Sequence, residues 1–418
     1  KKGASAEMLC CLFLFITVSS LLITENIAMA PSTTTTTIAP TTTTLTSSND
    51  KQTRPLLLEH INLNIPDVTL GREFYINALG GVENPVTTNE KQLHVNVGTS
   101  QFHLLLKTKT HADDKQSNAV TVPQHWPGYI ELWTTEDLEN IRSRLPSNRC
   151  YYLNNCSSST SQHDKKLICI CPWNKNRFLV RRAPLNFRVT HQHPGGYGTL
   201  VAMHRLVHPV SSLSSNLDTD VIYTLSKFWT NVMGCVTSVV EGKEAGSSDS
   251  NNNDTYDGLS FICNDHSNPT NSNHSRRRRR CCIVHFQSGQ ELILEESDDA
   301  PPSNSYDIQN DIFGYHLCIY LPTNESFQCT FQQVSECGLL YANPRFAGGR
   351  PEFGNALDWK EASDCGQFRV KDWLWCNDDD KKGGDDGKTE SVEVKSKVPL
   401  LVMELEVRST SHICCPLK

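Results

Sequence analysis

A repeating pattern of apolar and polar positions begins near residue 60. Residues 60–66 (HINLNIP) alternate as a half-buried strand does, and Asp67 stands where the N-cap of a following helix belongs. That helix ends at Gly80, since glycine commonly terminates helices. The pattern as a whole predicts a strand at 60–66, a helix through 74–79 (FYINAL), and strands at 93–97 and 101–107.

The same order of elements recurs in the second half of the sequence. His204 opens another alternating stretch, and residues 228–234 (FWTNVMG) repeat the end of the first helix residue type for residue type. Strands are predicted at 282–286 and 291–295. An internal repeat of this kind fixes the architecture ahead of any local assignment.

Each copy is followed by a weaker relative of itself. The first has strands at 129–134, 167–171 and 178–181 with a helix at 137–145, and the second has strands at 315–321, 367–373 and 400–408 with a helix at 325–338. The sequence therefore predicts an α+β protein of four βαβββ modules. We expect module one to pair with two and three with four, because each module needs another to bury the inner face of its strands, with 193–197 (HPGGY) as the hinge between pairs.

The expected domains are residues 54–188 and 198–412, and a chain of 418 residues is long enough for two cores. Polar insertions at about 241–280 and 377–389 interrupt the second domain and are expected to be exposed loops. An apolar content of 38% with 20% charged residues is typical of globular proteins. The net charge of -7 gives no support to nucleic-acid binding.

The first 30 residues have the layout of a signal peptide. Lys1 and Lys2 precede an apolar run at 8–23, and small residues at cleavage spacing end at Ala30. We therefore expect a protein that enters the secretory pathway or is extracellular. The alternatives are that the apolar run is an uncleaved membrane anchor, that Met29 is the true first residue, or that the segment is a bipartite leader for plastid import. A Thr-rich segment at 31–53 is expected to be a disordered linker. Glycosylation triplets begin at Asn155, Asn253, Asn273 and Asn324.

Cysteine spacing does not predict a structural zinc site. Of the 17 cysteines, Cys10 and Cys11 lie in the leader, and the remaining 15 include no pair set at zinc-ribbon spacing. In an oxidising compartment some would pair, and the odd number leaves at least one thiol free or intermolecular. Those in strand-like segments are also compatible with small core residues.

The strand and helix segments resemble the vicinal-oxygen-chelate superfamily, which includes glyoxalase I, extradiol dioxygenases and fosfomycin- and bleomycin-resistance proteins. The resemblance covers most of residues 56–408, and the segments 314–321, 368–372 and 404–412 are also similar to a glyoxalase-like group of microbial and algal proteins. Its most characteristic segments are 59–67 (EHINLNIPD), 74–81 (FYINALGG), 95–106 (VNVGTSQFHLLL), 171–180 (CPWNKNRFLV), 314–321 (GYHLCIYL), 368–372 (FRVKD) and 404–412 (ELEVRSTSH). It implies two tandem domains, each a pair of modules forming an open eight-stranded barrel.

The resemblance also implies a divalent metal held by the first and last strands of paired modules. In the second domain these positions point to His204, His316 and Glu404 as ligands of iron, manganese, zinc or nickel. Glu406 shares the strand face of Glu404 and is either a catalytic base or the actual ligand, and His208 competes with His204. The implied substrate is a small molecule with vicinal oxygens.

The first domain has fewer candidate ligands. His60 and His103 match two ligand positions, but Ile130 and Phe178 or Leu179 stand where the other two would be. His60 and His103 are expected to line a second pocket or to pack as a polar pair. The alternative function for the whole chain is a non-catalytic small-molecule-binding or scaffold protein, and membrane contact is expected only if the leader is uncleaved.

Overall fold

A computed structural model describes residues 54–106, 123–153, 165–211, 220–241, 280–297, 316–343, 355–371 and 403–417. The predicted leader, the Thr-rich linker, the loop at 377–389 and nearly all of 241–280 lie outside the described residues. So do the glycosylation triplets at Asn155, Asn253 and Asn273, whereas Asn324 is exposed at the start of a helix. No helix among the described residues is long and apolar enough to cross a membrane.

The four modules follow one another as the repeat predicts. Module one contains β1 (Leu57–Ile65), α1 (Val68–Gly71) continued by a π-helical segment (Arg72–Ala78), β2 (Val82–Glu83), β3 (Gln92–Val97) and β4 (Ser100–Leu106). Module two contains β5 (Tyr129–Thr134), α2 (Leu138–Ser143), β6 (Cys150–Tyr152), β7 (Lys166–Ile170) and β8 (Arg177–Arg182). Module three contains β9 (Leu200–Ser211), α3 (Val221–Lys227) continued by a π-helical segment (Phe228–Val232), β10 (Thr237–Glu241), β11 (Arg280–His285) and β12 (Glu291–Ser297). Module four contains β13 (His316–Leu321), α4 (Asn324–Glu336), α5 (Trp359–Cys365), β14 (Gln367–Val370) and β15 (Glu404–Ser409).

The likeness between the two strong copies extends to backbone detail. Asp67 caps α1 as expected, because its side chain accepts hydrogen bonds from the amides of Thr69 and Leu70. The repeated segments FYINALG and FWTNVMG both adopt a π-helical turn before a glycine with positive φ. The short strands β2, β6 and β10 and the helix α5 were not expected, because they are too brief to show a hydrophobic period.

The strands form two open mixed sheets, which confirms the α+β fold. Sheet 1 has the order β14-β15-β13-β1-β4-β3-β2, and sheet 2 has the order β10-β11-β12-β9-β5-β8-β7-β6. The described residues thus supply seven strands to one sheet and eight to the other, and a single bridge between Leu340 and Val370 stands beside β14.

The expected pairing of the modules is wrong. Module one pairs with module four through the antiparallel strands β1 and β13, and module two pairs with module three through β5 and β9. The ranges 54–188 and 198–412 therefore do not describe how the strands divide between the sheets.

The polarity of the strand faces explains this pairing. On sheet 1, one face carries His60, Asn62, His103, His316 and Glu406, and we call it the polar face. The corresponding face of sheet 2 carries an apolar cluster and, beside it, the buried Glu131 with its partners Arg181 and Arg205. The cluster consists of Tyr129, Ile168, Leu179, Val207, Cys281, Ile283 and Ile293. Buried polar groups are costly unless they meet polar partners, and each pairing supplies such partners: His60 of module one meets His316 of module four, and Glu131 of module two meets Arg205 of module three.

The opposite faces of both sheets share one apolar core with the helices. Phe74 of module one packs against Phe178 of module two, with ring centroids 5.5 Å apart. The Thr330 hydroxyl of α4 donates to the carbonyl of Met233 at 3.4 Å. Contacts between modules of different sheets therefore hold the two sheets in one compact body.

The turn between β3 and β4 approaches β9 too closely for a side chain. Gly98 has φ +62°, and a Cβ there would lie 2.0 Å from the carbonyl oxygen of Val201. We expect Gly98→Ala to lower the free energy of unfolding by about 2 to 4 kcal/mol, because the left-handed backbone and the clash with a rigid strand both add cost.

Gly234 provides the matched control for this substitution. Its φ is +66° and no atom lies within 4 Å of an added Cβ, so Gly234→Ala isolates the backbone cost of about 1 kcal/mol. Chemical denaturation of both variants gives the comparison. Equal losses would show that the two sheets do not approach each other at this turn.

Candidate metal centre

Equivalent positions of modules one and four meet on the polar face. His60 lies seven positions before the N-cap Asp67, and His316 lies seven positions before the N-cap Thr323. Asn62 is the register partner of His103 on β4, and Cys318 is the register partner of Glu406 on β15. The pairing of β1 with β13 brings these groups together across a local pseudo-twofold relation.

Two imidazoles and a carboxylate form the centre of the site. The Nε2 atoms of His60 and His316 are 3.1 Å apart, and Nε2 of His316 is 3.4 Å from Oε2 of Glu406. All three residues are buried, with exposed fractions of 1%, 7% and 2%. Each comes from a central strand of sheet 1, so the backbone fixes their directions.

Glu59 determines which ring nitrogen of His60 is available. A register shift between Leu58 and His60 makes Glu59 a bulge residue, and this turns its carboxylate toward the same site. Oε2 of Glu59 lies 2.6 Å from Nδ1 of His60. A carboxylate accepts hydrogen bonds, so Nδ1 carries the proton and Nε2 presents its lone pair toward His316.

A chain of hydrogen bonds fixes the tautomer of His103 in the same way. The Asn96 side-chain nitrogen donates to the carbonyls of Pro194 and Gly196 at 2.9 and 2.8 Å, so its oxygen is the acceptor for Nε2 of Gln101. The oxygen of Gln101 must then accept from Nε2 of His103 at 3.0 Å. Nδ1 of His103 is left with a lone pair. Backbone carbonyls of the predicted hinge at 193–197 therefore determine, through Asn96 and Gln101, which nitrogen of His103 carries the proton.

Burial keeps His316 and His103 neutral at neutral pH. Desolvation lowers the pKa of His316 to about 4 and the pKa of His103 well below its usual value. The His103 ring stacks between those of His60 and His94, with centroid distances of 3.8 and 3.9 Å. Neutral imidazoles are the form that binds metal ions.

The buried Arg369 and the part-buried Arg408 neutralise the carboxylates of the site. Arg369 pairs with Glu404 and also places Nη2 2.6 Å from Oε2 of Glu406, and Nε of Arg408 is 2.6 Å from the other oxygen of Glu406. Burial alone raises the pKa of Glu406, but the two guanidinium groups hold it well below its usual value. Arg408 also reaches Glu59 at 3.2 Å. Glu59 and Glu406, whose pKa values are both lowered, are therefore ionised at neutral pH.

The structure places the predicted ligand His204 elsewhere. His204 lies on β9 in sheet 2, where its ring stacks on Trp133 at 3.9 Å and burial lowers its pKa to about 4. A register shift between Glu131 and Leu132 interrupts the alternation of this strand pair. His208 lies against the edge of Trp126 in the apolar core, so neither histidine shares the polar face with His316.

The other predicted site residues share the polar face. Glu404 is the register partner of His316, but its oxygens are engaged by Arg369 and by the side-chain amide of Asn343 at 2.7 Å. His60 and His103, predicted as a separate pocket, belong to the same site as His316. Two groups of potential ligand atoms within 4.8 Å of one another occur in the described residues, namely Glu59 with His60 and His103, and His60 with Cys318 and Glu406.

Sequence reasoning missed two supporting residues. Nothing in the strand pattern indicates the bulge that turns Glu59 inward. His193 was placed in the hinge, yet its Nε2 lies 3.0 Å from the carbonyl of Thr99 and 3.6 Å from Glu59. The signal that the sequence did contain is the equal spacing of His60 and His316 from their helix caps.

Comparisons with solved structures return proteins of the expected kind. Similar folds include a Bacillus subtilis protein assigned as a dioxygenase (7% identity, 85% of this chain and 86% of that chain, TM-score 0.40) and glyoxalase I from Zea mays (9% identity, 86% and 92%, TM-score 0.40). An integron cassette protein from V. cholerae is similar over 32% of this chain and 98% of its own length, at 14% identity and a TM-score of 0.22. No protein-family model and no curated protein matches the sequence. At these identities and TM-scores the activity of those proteins is no argument for this one, and the function has to be argued from the site.

Proposed function

We propose that the chain is a metal-dependent enzyme of the vicinal-oxygen-chelate kind, with one divalent ion bound between modules one and four. The observation that carries the proposal is the 3.1 Å separation of Nε2 in His60 and Nε2 in His316. Two metal-nitrogen bonds of about 2.1 Å at a right angle place their nitrogens about 3.0 Å apart. The two imidazoles are therefore spaced as neighbouring ligands of one ion.

His60, His316 and Glu406 are the ligands that we assign, with Nδ1 of His103 as a fourth donor. A donor set of imidazoles with one carboxylate suits iron, manganese, zinc or nickel. Such an ion, when bound, would polarise the adjacent oxygens of a chelating substrate as a Lewis acid. Glu404 is not assigned as a ligand, because Arg369 and Asn343 already occupy its oxygens.

Two buried amides are the proposed contacts to substrate. The side-chain oxygens of Asn62 and Asn64 are buried without a hydrogen-bond partner among the described residues. Both residues lie on the polar face of β1 beside His60, and an unpaired buried acceptor is costly unless a ligand donates to it. Hydroxyl groups would satisfy them, which favours a small hydroxylated substrate with adjacent oxygens.

One observation favours a second candidate, a metal-free binding protein. Both oxygens of Glu406 already lie 2.6 Å from guanidinium nitrogens, one from Arg369 and one from Arg408. A metal ion would have to share this carboxylate with two cations. In the alternative, the arginines replace the ion and the polar face binds a small polar molecule without turnover.

Metal analysis of the full chain separates the two candidates. Protein is incubated with each of iron(II), manganese(II), zinc(II) and nickel(II), dialysed, and measured for bound metal. The metal-loaded protein is then screened with vicinal diols, catechols and α-hydroxyketones for isomerisation and dioxygen uptake. We expect close to one tightly bound ion per chain. Retention of no ion from any of the four metals contradicts the proposal and favours the binding protein.

Glu59→Gln is expected to weaken metal binding without removing a ligand. An amide can still accept from Nδ1 of His60, but it does not strengthen the imidazole as a carboxylate does, so we expect a 10- to 100-fold loss in metal affinity. Titration against a competing chelator measures it. Glu136→Gln is the control, because this carboxylate belongs to module two and pairs with Arg144 of the same module, outside the polar face. An unchanged affinity for Glu59→Gln would remove Glu59 from the proposed centre.

A further inference from the structure

Two cysteines oppose each other on the outer hairpin of sheet 2. Cys150 of β6 is the register partner of Cys169 of β7, and their sulfur atoms are 3.4 Å apart. Both side chains are buried in the core. They lie 19 positions apart in the sequence, so neither residue number nor spacing singles them out as a pair.

The backbone hydrogen bonds show which kind of cross-strand pair this is. The amide of Ile170 donates to the carbonyl of Arg149, and the amide of Leu153 donates to the carbonyl of Lys166. Hydrogen-bonded and non-hydrogen-bonded pairs alternate along an antiparallel ladder. Cys150 and Cys169 lie one position from the first of these pairs, at a non-hydrogen-bonded position. Such positions bring Cα atoms to about 4.5 Å with their side chains closer together, which is within the range that a disulfide requires.

We propose that Cys150 and Cys169 are a redox-active pair that forms a disulfide across β6 and β7. The register, the separation of the sulfur atoms and the non-hydrogen-bonded position all permit the bond without movement of the strands. β6 is the last strand of sheet 2 and bonds only to β7 among the described strands. The link therefore fastens an edge strand to its single neighbour.

The oxidant is a low-molecular-weight disulfide such as glutathione disulfide. When local opening of the edge strand β6 exposes it, the thiolate of Cys150 attacks one sulfur of the oxidant, which forms a mixed disulfide and releases one glutathione thiolate. The deprotonated Cys169 then attacks the Cys150 sulfur and releases the second glutathione. Two protons leave the protein, its two sulfurs are oxidised, and one glutathione disulfide is reduced to two thiols.

The pKa values of the two thiols are shifted in opposite directions, which fits their different roles in this reaction. The hydrogen bond from Cys169 lowers the pKa of Cys150, against the opposing effect of burial, and Arg142 lowers it further. The same contact and burial raise the pKa of Cys169. Because thiolates are the attacking form, Cys150 reacts first and Cys169 resolves the mixed disulfide.

Three other buried cysteines lie differently from this pair. Cys281 and Cys282 are consecutive on β11, and their side chains belong to clusters on opposite faces of the sheet. Cys171 follows β7 and has no register partner in that hairpin. It is a matched control, since it lies two positions from Cys169 and is equally buried.

Peptide mapping of the full chain tests the proposal directly. Protein is equilibrated in glutathione buffers of increasing oxidised fraction, alkylated, digested and analysed by mass spectrometry. We expect a peptide pair joined through Cys150 and Cys169, formed equally in wild type and in Cys171→Ser. The joined pair must be absent in Cys150→Ser. Full alkylation of both cysteines under the most oxidising buffer, or joining of either to another cysteine first, would overturn the proposal.

Thermal unfolding provides a second measurement. A crosslink restricts the unfolded chain, so the oxidised protein should unfold at a temperature higher by on the order of 5 °C than the reduced protein. The double variant Cys150→Ser, Cys169→Ser should show no difference between the two buffers. Peptide mapping of the wild-type protein tests for the disulfide even if the double variant does not fold.

Discussion

Replacing His316 with alanine is expected to remove bound metal nearly completely. Nε2 of His316 is 3.1 Å from Nε2 of His60 and 3.4 Å from Oε2 of Glu406, so the substitution removes the donor that lies close to both other ligands. Two remaining protein donors are too few to hold a divalent ion against dialysis. Bound metal is measured by elemental analysis after dialysis, and any activity found with the wild-type protein should be lost with it.

The variants His60→Ala and His204→Ala test whether the metal site lies between modules one and four. We expect His60→Ala to lose metal as fully as His316→Ala, because modules one and four share the site. His204→Ala should keep the wild-type metal content, since that ring stacks on Trp133 in sheet 2. Retained metal in His60→Ala together with loss in His204→Ala would contradict the site that we propose.

The module pairing is the part of the fold that the sequence could have predicted and did not. The hydrophobic period and the helix caps predict four modules, and the structure contains them. Neighbouring modules were expected to pair, but chain order is a weaker constraint than the polarity of the buried faces. His60 of module one meets His316 of module four, and Glu131 of module two meets Arg205 of module three. Matching the polar inner-face residues of the modules, such as Glu131 with Arg205, would have favoured the observed pairs.

Other features of the site depend on contacts that a strand pattern does not contain. Glu59 faces the site only because a register shift adds one residue to β1. The tautomer of His103 depends on backbone carbonyls of Pro194 and Gly196, about 90 residues away in the chain. Glu406 was recognised as either base or ligand, and its position beside His316 supports the second role.

Arg369→Met is expected to lower the free energy of unfolding by about 3 to 5 kcal/mol, because it leaves two buried carboxylates short of a cation. Arg369 is almost fully buried and pairs with both Glu404 and Glu406. Chemical denaturation at pH 7 measures the loss. Arg181→Met is the control: Arg181 is part-exposed, and its partner Glu131 keeps a second cation in Arg205, so we expect a loss below about 1 kcal/mol.

The pH dependence of the Arg369→Met effect tests its electrostatic origin. Burial raises the pKa of Glu406, while Arg369 and Arg408 hold it well below the usual value of 4.5. A carboxyl group with a lowered pKa stabilises the folded protein above pH 4.5 and loses this contribution as the pH falls through its folded pKa. Without Arg369 the pKa of Glu406 rises, so protonation relieves the unpaired charge in the variant at a higher pH than in the wild type. The difference in stability between the two proteins should therefore narrow as the pH falls from 7 to about 4. A difference that stays constant over this range would mean that Arg369 stabilises the protein through packing and not through its charge.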